Sequence, residues 1–358
     1  MAKQRPALSL FPILGQPNGG VSSPPAPARG IAKLAAEAPL VDEGHRIEFH
    51  ALQVRSLLNR TVSRRGLPFA WSINPYRGCE FACRYCYARY THEYIELRRP
   101  EDFERQIFLK QNAAWLLEQE LKRVRPGEEV AIGTATDPYQ PIERRARITR
   151  QLLEVFARRD GLSLGIVTKS TLIESDIPLL KKIAGRNTLV LHLTITTPDA
   201  KLARVLEPRA PRPDLRLRTV ARLRQAGLTA GILCSPVLPG ITDTRAALDA
   251  MARSAKQVGA SFLSAQPLFL KPCSKPVYFD FLRTHFPHLE QMYEACYTPE
   301  GFVKEAYRER IAALVRALSQ KYELGRRPRE EAKAPPASPQ RSFMWDTGRN
   351  PPPGSLCG

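Results

Sequence analysis

Between residues 129 and 268 the chain alternates between short apolar runs and longer stretches of helical periodicity, and this alternation restricts the possible folds more than any other feature. The runs are EVAIGTA at 129–135, LSLGIVT at 162–168, TLVLHLTIT at 188–196, LTAGILCSPV at 228–237 and SFLSAQPL at 261–268, preceded by AWSINP at 70–75. Helical patterns occupy about 103–123, 148–159, 175–184, 213–226 and 244–258. In the first of these, Ile107, Ala114, Leu117 and Leu121 carry the apolar period. Gly227 stands where a helix over 213–226 would need a left-handed terminal residue. Strands that are apolar throughout belong to a parallel sheet covered by helices. Six of them predict an α/β fold, a partial (β/α)6 TIM-like barrel.

A core over 41–290 follows, with a C-terminal helical extension at 291–325. Within it, 300–322 reads as an amphipathic helix that caps the open edge of the sheet. Residues 1–40 and 326–358 are rich in Pro, Gly, Ala and Ser and read as disordered tails. No run of ~18 apolar residues exists, so no membrane span is expected. The N-terminus lacks the apolar stretch of a secretory leader, which makes the cytoplasm the expected compartment.

In parallel α/β folds functional residues gather at the C-terminal ends of strands. Here those ends read NPYRGC, TATDPYQPIE, VTKS, TITTPD, CSPVLPG and QPLFLKP, all polar or turn-rich. The first leads into a cysteine triplet, Cys79, Cys83 and Cys86, with C-x3-C-x2-C spacing. The chain has seven cysteines, an odd number, three of them within eight residues, which is unlike a secreted disulfide framework. Thiolates crowded on one loop can hold several irons of a single cluster. Three local ligands leave one iron of a cubane open, as a substrate-binding metal requires. Zinc is the alternative, with His92 as fourth ligand in a non-catalytic nucleic-acid-binding module, although its offset from Cys86 is not a favoured one.

The triplet, with Tyr85 before its last cysteine, resembles the signature of the radical SAM superfamily. The wider string WSINPYRGCEFACRYCYAR, then THEY, GTATDPYQPIE, VTKS and LEPRAP, resembles the group related to spore photoproduct lyase, over about residues 45–290. The resemblance implies a [4Fe–4S] cluster on Cys79, Cys83 and Cys86, with S-adenosylmethionine (SAM) chelating the fourth iron. It implies reductive cleavage of SAM to a 5′-deoxyadenosyl radical, driven by an electron donor such as flavodoxin or ferredoxin. Tyr85 would lie against the adenine, and Tyr87 matches a tyrosine tied to handling of the substrate radical; packing around the loop is the alternative for both. Lys169 would pair with the SAM carboxylate, and Ser235 aligns with an adenosine contact.

Thr134 and Thr136 present hydroxyls that can bind the SAM amino or carboxylate group. Asp137 reads equally as a SAM or substrate ligand and as a turn-forming residue. Thr194 and Thr196 read as SAM contacts or as β-branched strand fillers. Arg209, beside the candidate carboxylate Glu207, reads as an anion grip or a surface ion pair. The lyase carries a hydrogen-donating cysteine at the end of its second strand, where this chain has Gly133-Thr134-Ala135-Thr136, so thymine-dimer repair itself does not carry over. Cys234 reads as a small buried hydrophobe. The net charge of +19 favours a polyanion such as nucleic acid as partner.

Overall fold

The computed structural model describes residues 28–44, 47–61 and 67–327. Six strands pair in parallel in chain order: β1 (Trp71–Ile73), β2 (Glu129–Ile132), β3 (Ser163–Thr168), β4 (Thr188–Thr194), β5 (Ala230–Val237) and β6 (Leu263–Pro267). All six lie within the apolar runs of the sequence. Only Thr188 of β4 is exposed, as a strand covered on both faces requires. A two-residue strand, Asn59–Arg60, pairs antiparallel with the outer side of β1.

Each strand is followed by a helix: α1 (Ala113–Glu120), α2 (Ile148–Phe156), α3 (Ile177–Ala184), α4 (Pro213–Gln225), α5 (Arg245–Gln257) and α6 (Glu305–Lys321). Local chemistry sets their ends. The Thr244 hydroxyl accepts a hydrogen bond from Ala247 N at 3.1 Å and caps α5. Pro213 occupies the first turn of α4, and Gly227, at φ +83°, follows its end. Leu248, Met251, Ala252 and Ala255 form the buried face of α5. Each fully buried large aliphatic side chain in such a face contributes about 1.5–3 kcal/mol. Helix α6 buries Tyr307, Ile311, Val315 and Leu318 and packs on β6, the last strand of the sheet.

The segment 103–123, read as one helix, is a correction. Asp102–Arg105 form a single turn, Gln106–Lys110 form a strand, and only Ala113–Glu120 are α1. Ile107, Phe108 and Leu109 are consecutive and all buried, so both faces of this stretch are covered, which a surface helix cannot achieve. That strand lies in a second sheet, ordered Leu40–Gly44, Ile47–Leu52, Gln106–Lys110, Tyr76–Arg77. Two short helices also escaped the periodicity. Ala200–Leu206 is capped by Asp199, which accepts from Lys201 N and Leu202 N. Ile31–Ala36 lies in the stretch read as a tail and buries Ala32 and Ala35. Most of both tails, residues 1–27 and 328–358, falls outside the described residues.

Candidate active site at the strand ends

The second sheet ends at Arg77, two residues before the first cysteine, and so anchors the thiol loop from below. Gly78 makes the connection at φ +85°; a Cβ there would lie 2.8 Å from Gln106 O and 2.9 Å from Phe103 O. Only glycine fits this turn. Cys79 N then donates to Phe103 O at 3.0 Å, and Arg84 N to Leu206 O at 2.9 Å, pinning the loop on both sides. Cys79, Cys83 and Cys86 are free thiols; the first two are buried and the third half-buried. Phe81, Phe103, Leu206, Leu238 and Tyr278 pack around them.

Burial pushes the Cys83 thiol up to about 12, against the pull of Lys169. Burial also raises Cys79, with Asp137 and Cys83 adding to it, and raises Cys86. A coordinated metal takes the place of a thiol's proton and holds it as thiolate even where burial disfavours the charge. The donor set therefore fits an iron–sulfur cluster held at three corners.

Zinc fares differently. His92 is buried in the second sheet's packing, with Nε2 3.0 Å from Gln106 O and its ring edge-on to Phe103 at 5.2 Å.

The strand ends close over the loop. Asn74 Nδ2 donates to Thr134 Oγ1 at 3.2 Å, and Asn74 Oδ1 accepts from Ala135 N at 2.7 Å. Thr136 Oγ1 donates to Gly78 O at 2.5 Å, fastening the β2 end to the thiol loop. Asp137 accepts from Thr168 Oγ1 at 2.6 Å, Lys169 N at 2.7 Å and Tyr139 N at 2.9 Å. Its carboxylate thus serves backbone and hydroxyl donors at the β2 and β3 ends and sets where Lys169 starts. Lys169 Nζ lies 5.7 Å from the centre of the Tyr85 ring. Burial pulls the Lys169 ammonium down, but Cys83 and Glu207 outweigh it and raise it above its ordinary value.

Tyr85 leads to a fully buried polar hub. Its hydroxyl donates to Glu207 and lies 3.0 Å from Thr196 Oγ1, which itself donates to Glu207 at 2.9 Å. Glu207 pairs with Arg216 at 2.5 Å, both side chains being about 1% exposed. Arg216 also donates to Pro211 O at 2.6 Å and Thr194 O at 3.0 Å, so Thr194 takes part through its carbonyl. Burial pushes the Glu207 carboxyl up, but Arg216, Lys169 and the Tyr85 hydrogen bond together hold it below the usual range.

Arg209 instead is exposed, with one guanidinium nitrogen 3.5 Å from Glu104 O. Arg216 was not singled out from sequence. Its signal is an arginine on the face of α4 shared with the buried Thr219, Val220 and Leu223. Ser235 lies half-buried in β5, beside Cys234, whose thiol donates to Thr196 O at 3.6 Å. Tyr87 faces outward, 39% exposed, with its hydroxyl donating to Thr134 O.

A six-stranded partial (β/α) barrel that gathers three free thiols and a lysine at its strand ends has the architecture of an α/β enzyme. The chain belongs to the radical SAM superfamily, whose family model matches residues 73–255. An uncharacterized protein of Mycobacterium tuberculosis is 34% identical over 281 residues, covering 78% of this chain and 82% of that protein. Another, from Methanocaldococcus jannaschii, is 28% identical over 199 residues, covering 55% and 71%. Among solved structures the fold is similar to spore photoproduct lyase complexed with a dinucleoside spore photoproduct, at TM-score 0.58 and 15% identity, covering 81% of this chain and 86% of that one. A cysteine-to-serine variant of the same lyase gives TM-score 0.59 and 15% identity, covering 84% and 85%. At this identity the likeness establishes the fold.

Proposed function

We propose that this chain is a radical SAM enzyme that cleaves SAM reductively and directs the resulting radical at a nucleic-acid substrate. The observation that carries the reading is the triplet of free thiols on one pinned loop at the same strand ends as Lys169. Cys79, Cys83 and Cys86 would hold three irons of a [4Fe–4S] cluster, and Lys169 would pair with the SAM carboxylate. When bound, the cluster and SAM supply one electron and a carbon-centred radical able to abstract hydrogen. Tyr85, fixed by Glu207 and Thr196, would bound the adenine side, with Ser235 and the β4 end at Thr194 further along the same rim. Thr134, Thr136 and Asp137 hold the loop and the β3 end in register, so they act by positioning. Tyr87, at the exposed mouth, would meet the substrate.

The net charge of +19 supports nucleic acid as the substrate class. The similarly folded lyase is described with a dinucleoside photoproduct, which supports the same class. A small redox protein such as flavodoxin or ferredoxin would supply the electron. The free thiols of Cys79, Cys83, Cys86, Cys234 and Cys273 suit the reducing cytoplasm, while Cys296 is disulfide-bonded, and no described helix is long and apolar enough to cross a membrane.

The test is anaerobic reconstitution with iron and sulfide, then reduction with dithionite in the presence of SAM and chromatography for 5′-deoxyadenosine. The wild type is expected to form it and Cys83→Ala to form none. An intact cluster that neither cleaves SAM nor changes its EPR signal on SAM addition would overturn the proposal.

A further inference from the structure

From the mouth of the site a strip of aromatic rings and a cation runs outward, assembled from three separate parts of the chain. Tyr87 lies 6.0 Å from Phe269, ring to ring, and Phe269 stacks on Phe302 at 4.3 Å. Lys271 Nζ sits 5.9 Å from the Phe269 ring and 3.8 Å from the Tyr90 ring. Tyr90 meets Tyr94 edge-on at 5.9 Å. Tyr94 is 54% exposed and Tyr87 39%, while the members between them are half-buried. Among the described residues no carboxylate pairs with Lys271. The ammonium is thus held by ring contacts alone, half-buried between Tyr90 and Phe269.

We infer that this strip is a docking surface for a single-stranded or unpaired nucleic-acid segment, which it feeds to the thiol site. The inference rests on the radical SAM reading above and adds where, and in what form, the substrate binds. Every base has a π-face that stacks on an aromatic ring, and phosphates seek an unpaired cation; an alternation of rings and ammonium meets both needs. A duplex hides its base faces, so its stacked interior gains little from such a strip. An apolar peptide would occupy the rings but leave Lys271 desolvated without an anion. The chain's +19 charge adds long-range attraction for the same partner.

The test is fluorescence anisotropy with a labelled single-stranded deoxyoligonucleotide of ~12 nucleotides and its duplex. The protein is the anaerobically reconstituted full chain, with iron content and cluster absorbance measured on every sample. The single strand is expected to bind more tightly than the duplex, with affinity falling steeply between ~50 and ~200 mM salt. Tyr94→Ala, at an exposed position, is expected to weaken binding about tenfold, and Lys271→Glu to weaken it further and flatten the salt dependence. Trp115→Ala removes an equally exposed ring, 63% accessible, on α1 away from the strip, and is expected to change nothing. Tighter duplex binding, binding indifferent to salt, or equal effects of Tyr94→Ala and Trp115→Ala would overturn the inference. The SAM cleavage assay is read separately. A wild type that cleaves SAM but does not bind the single strand refutes the strip alone, whereas one that binds the single strand but neither cleaves SAM nor changes its EPR signal with SAM refutes the radical reading and leaves the strip standing as a binding surface.

Discussion

Replacing Arg216 by methionine tests whether the Glu207 hub, rather than packing alone, holds the site together. In the native fold the guanidinium is 1% exposed and satisfies Glu207 and the carbonyls of Pro211 and Thr194. Methionine fills much of the same volume but leaves a buried carboxylate without its cation. Breaking such a pair from one side costs about 3–5 kcal/mol. At ~2–4 °C per kcal/mol this lowers Tm by about 6–20 °C. The double variant Glu207→Gln/Arg216→Met removes the charge while leaving an acceptor for Tyr85 and Thr196, and is expected to regain at least half of the loss.

The pH dependence has a definite sign. In the wild type Glu207 is held below its ordinary value, so its stabilisation is present at neutral pH and is lost only as acid reaches that lowered value. Without Arg216, burial prevails and the folded-state carboxyl rises above the unfolded ~4.3. The folded variant then binds the extra proton, and its deficit relative to wild type narrows as pH falls from about 8 to about 5. Urea unfolding at both pH values measures this. A loss below about 1 kcal/mol, or a double variant no more stable than Arg216→Met, would refute the hub.

Three further outcomes are expected. Lys169→Met should weaken SAM binding by tenfold or more, the scale of a charged hydrogen bond at ~1.5–3 kcal/mol, with iron content unchanged; unaltered affinity by equilibrium dialysis would remove Lys169 from the cofactor site. Gly78→Ala should destabilise the fold by about 1–3 kcal/mol and shed iron faster, because its Cβ meets two carbonyl oxygens within 2.9 Å at φ +85°. Lys110, on the second sheet, is pulled down to about 7 by burial and then by Arg77. Its folded value lies below the unfolded ~10.4, so the wild type gains stability as pH rises through that window. Lys110→Met should therefore stabilise by on the order of 3–5 kcal/mol below about pH 7, with the gain shrinking toward about pH 10; a gain that does not change with pH would show that burial of the charge is not the cause.

The sequence by itself determined the barrel and the thiol triplet proposed to hold the cluster. A strand buried on both faces must be largely apolar, so β3 to β5 announced themselves from the sequence, and C-x3-C-x2-C brings its three thiols together by local spacing alone. Periodicity failed at Gln106–Lys110, because an apolar run such as Ile107-Phe108-Leu109 satisfies helix and strand alike until a partner strand, Ile47–Leu52, chooses. Tertiary structure alone decided what the strand-end side chains do. Thr136 and Asp137, proposed from sequence as ligand contacts, join Gly78, Thr168 and Lys169 across as many as 58 residues of chain. The Glu207–Arg216 pair and the ring strip from Tyr87 to Tyr94 are likewise contacts between distant segments. Hydrogen bonds, ion pairs and ring stacking act over a few ångströms, and only the folded chain brings those residues within that range.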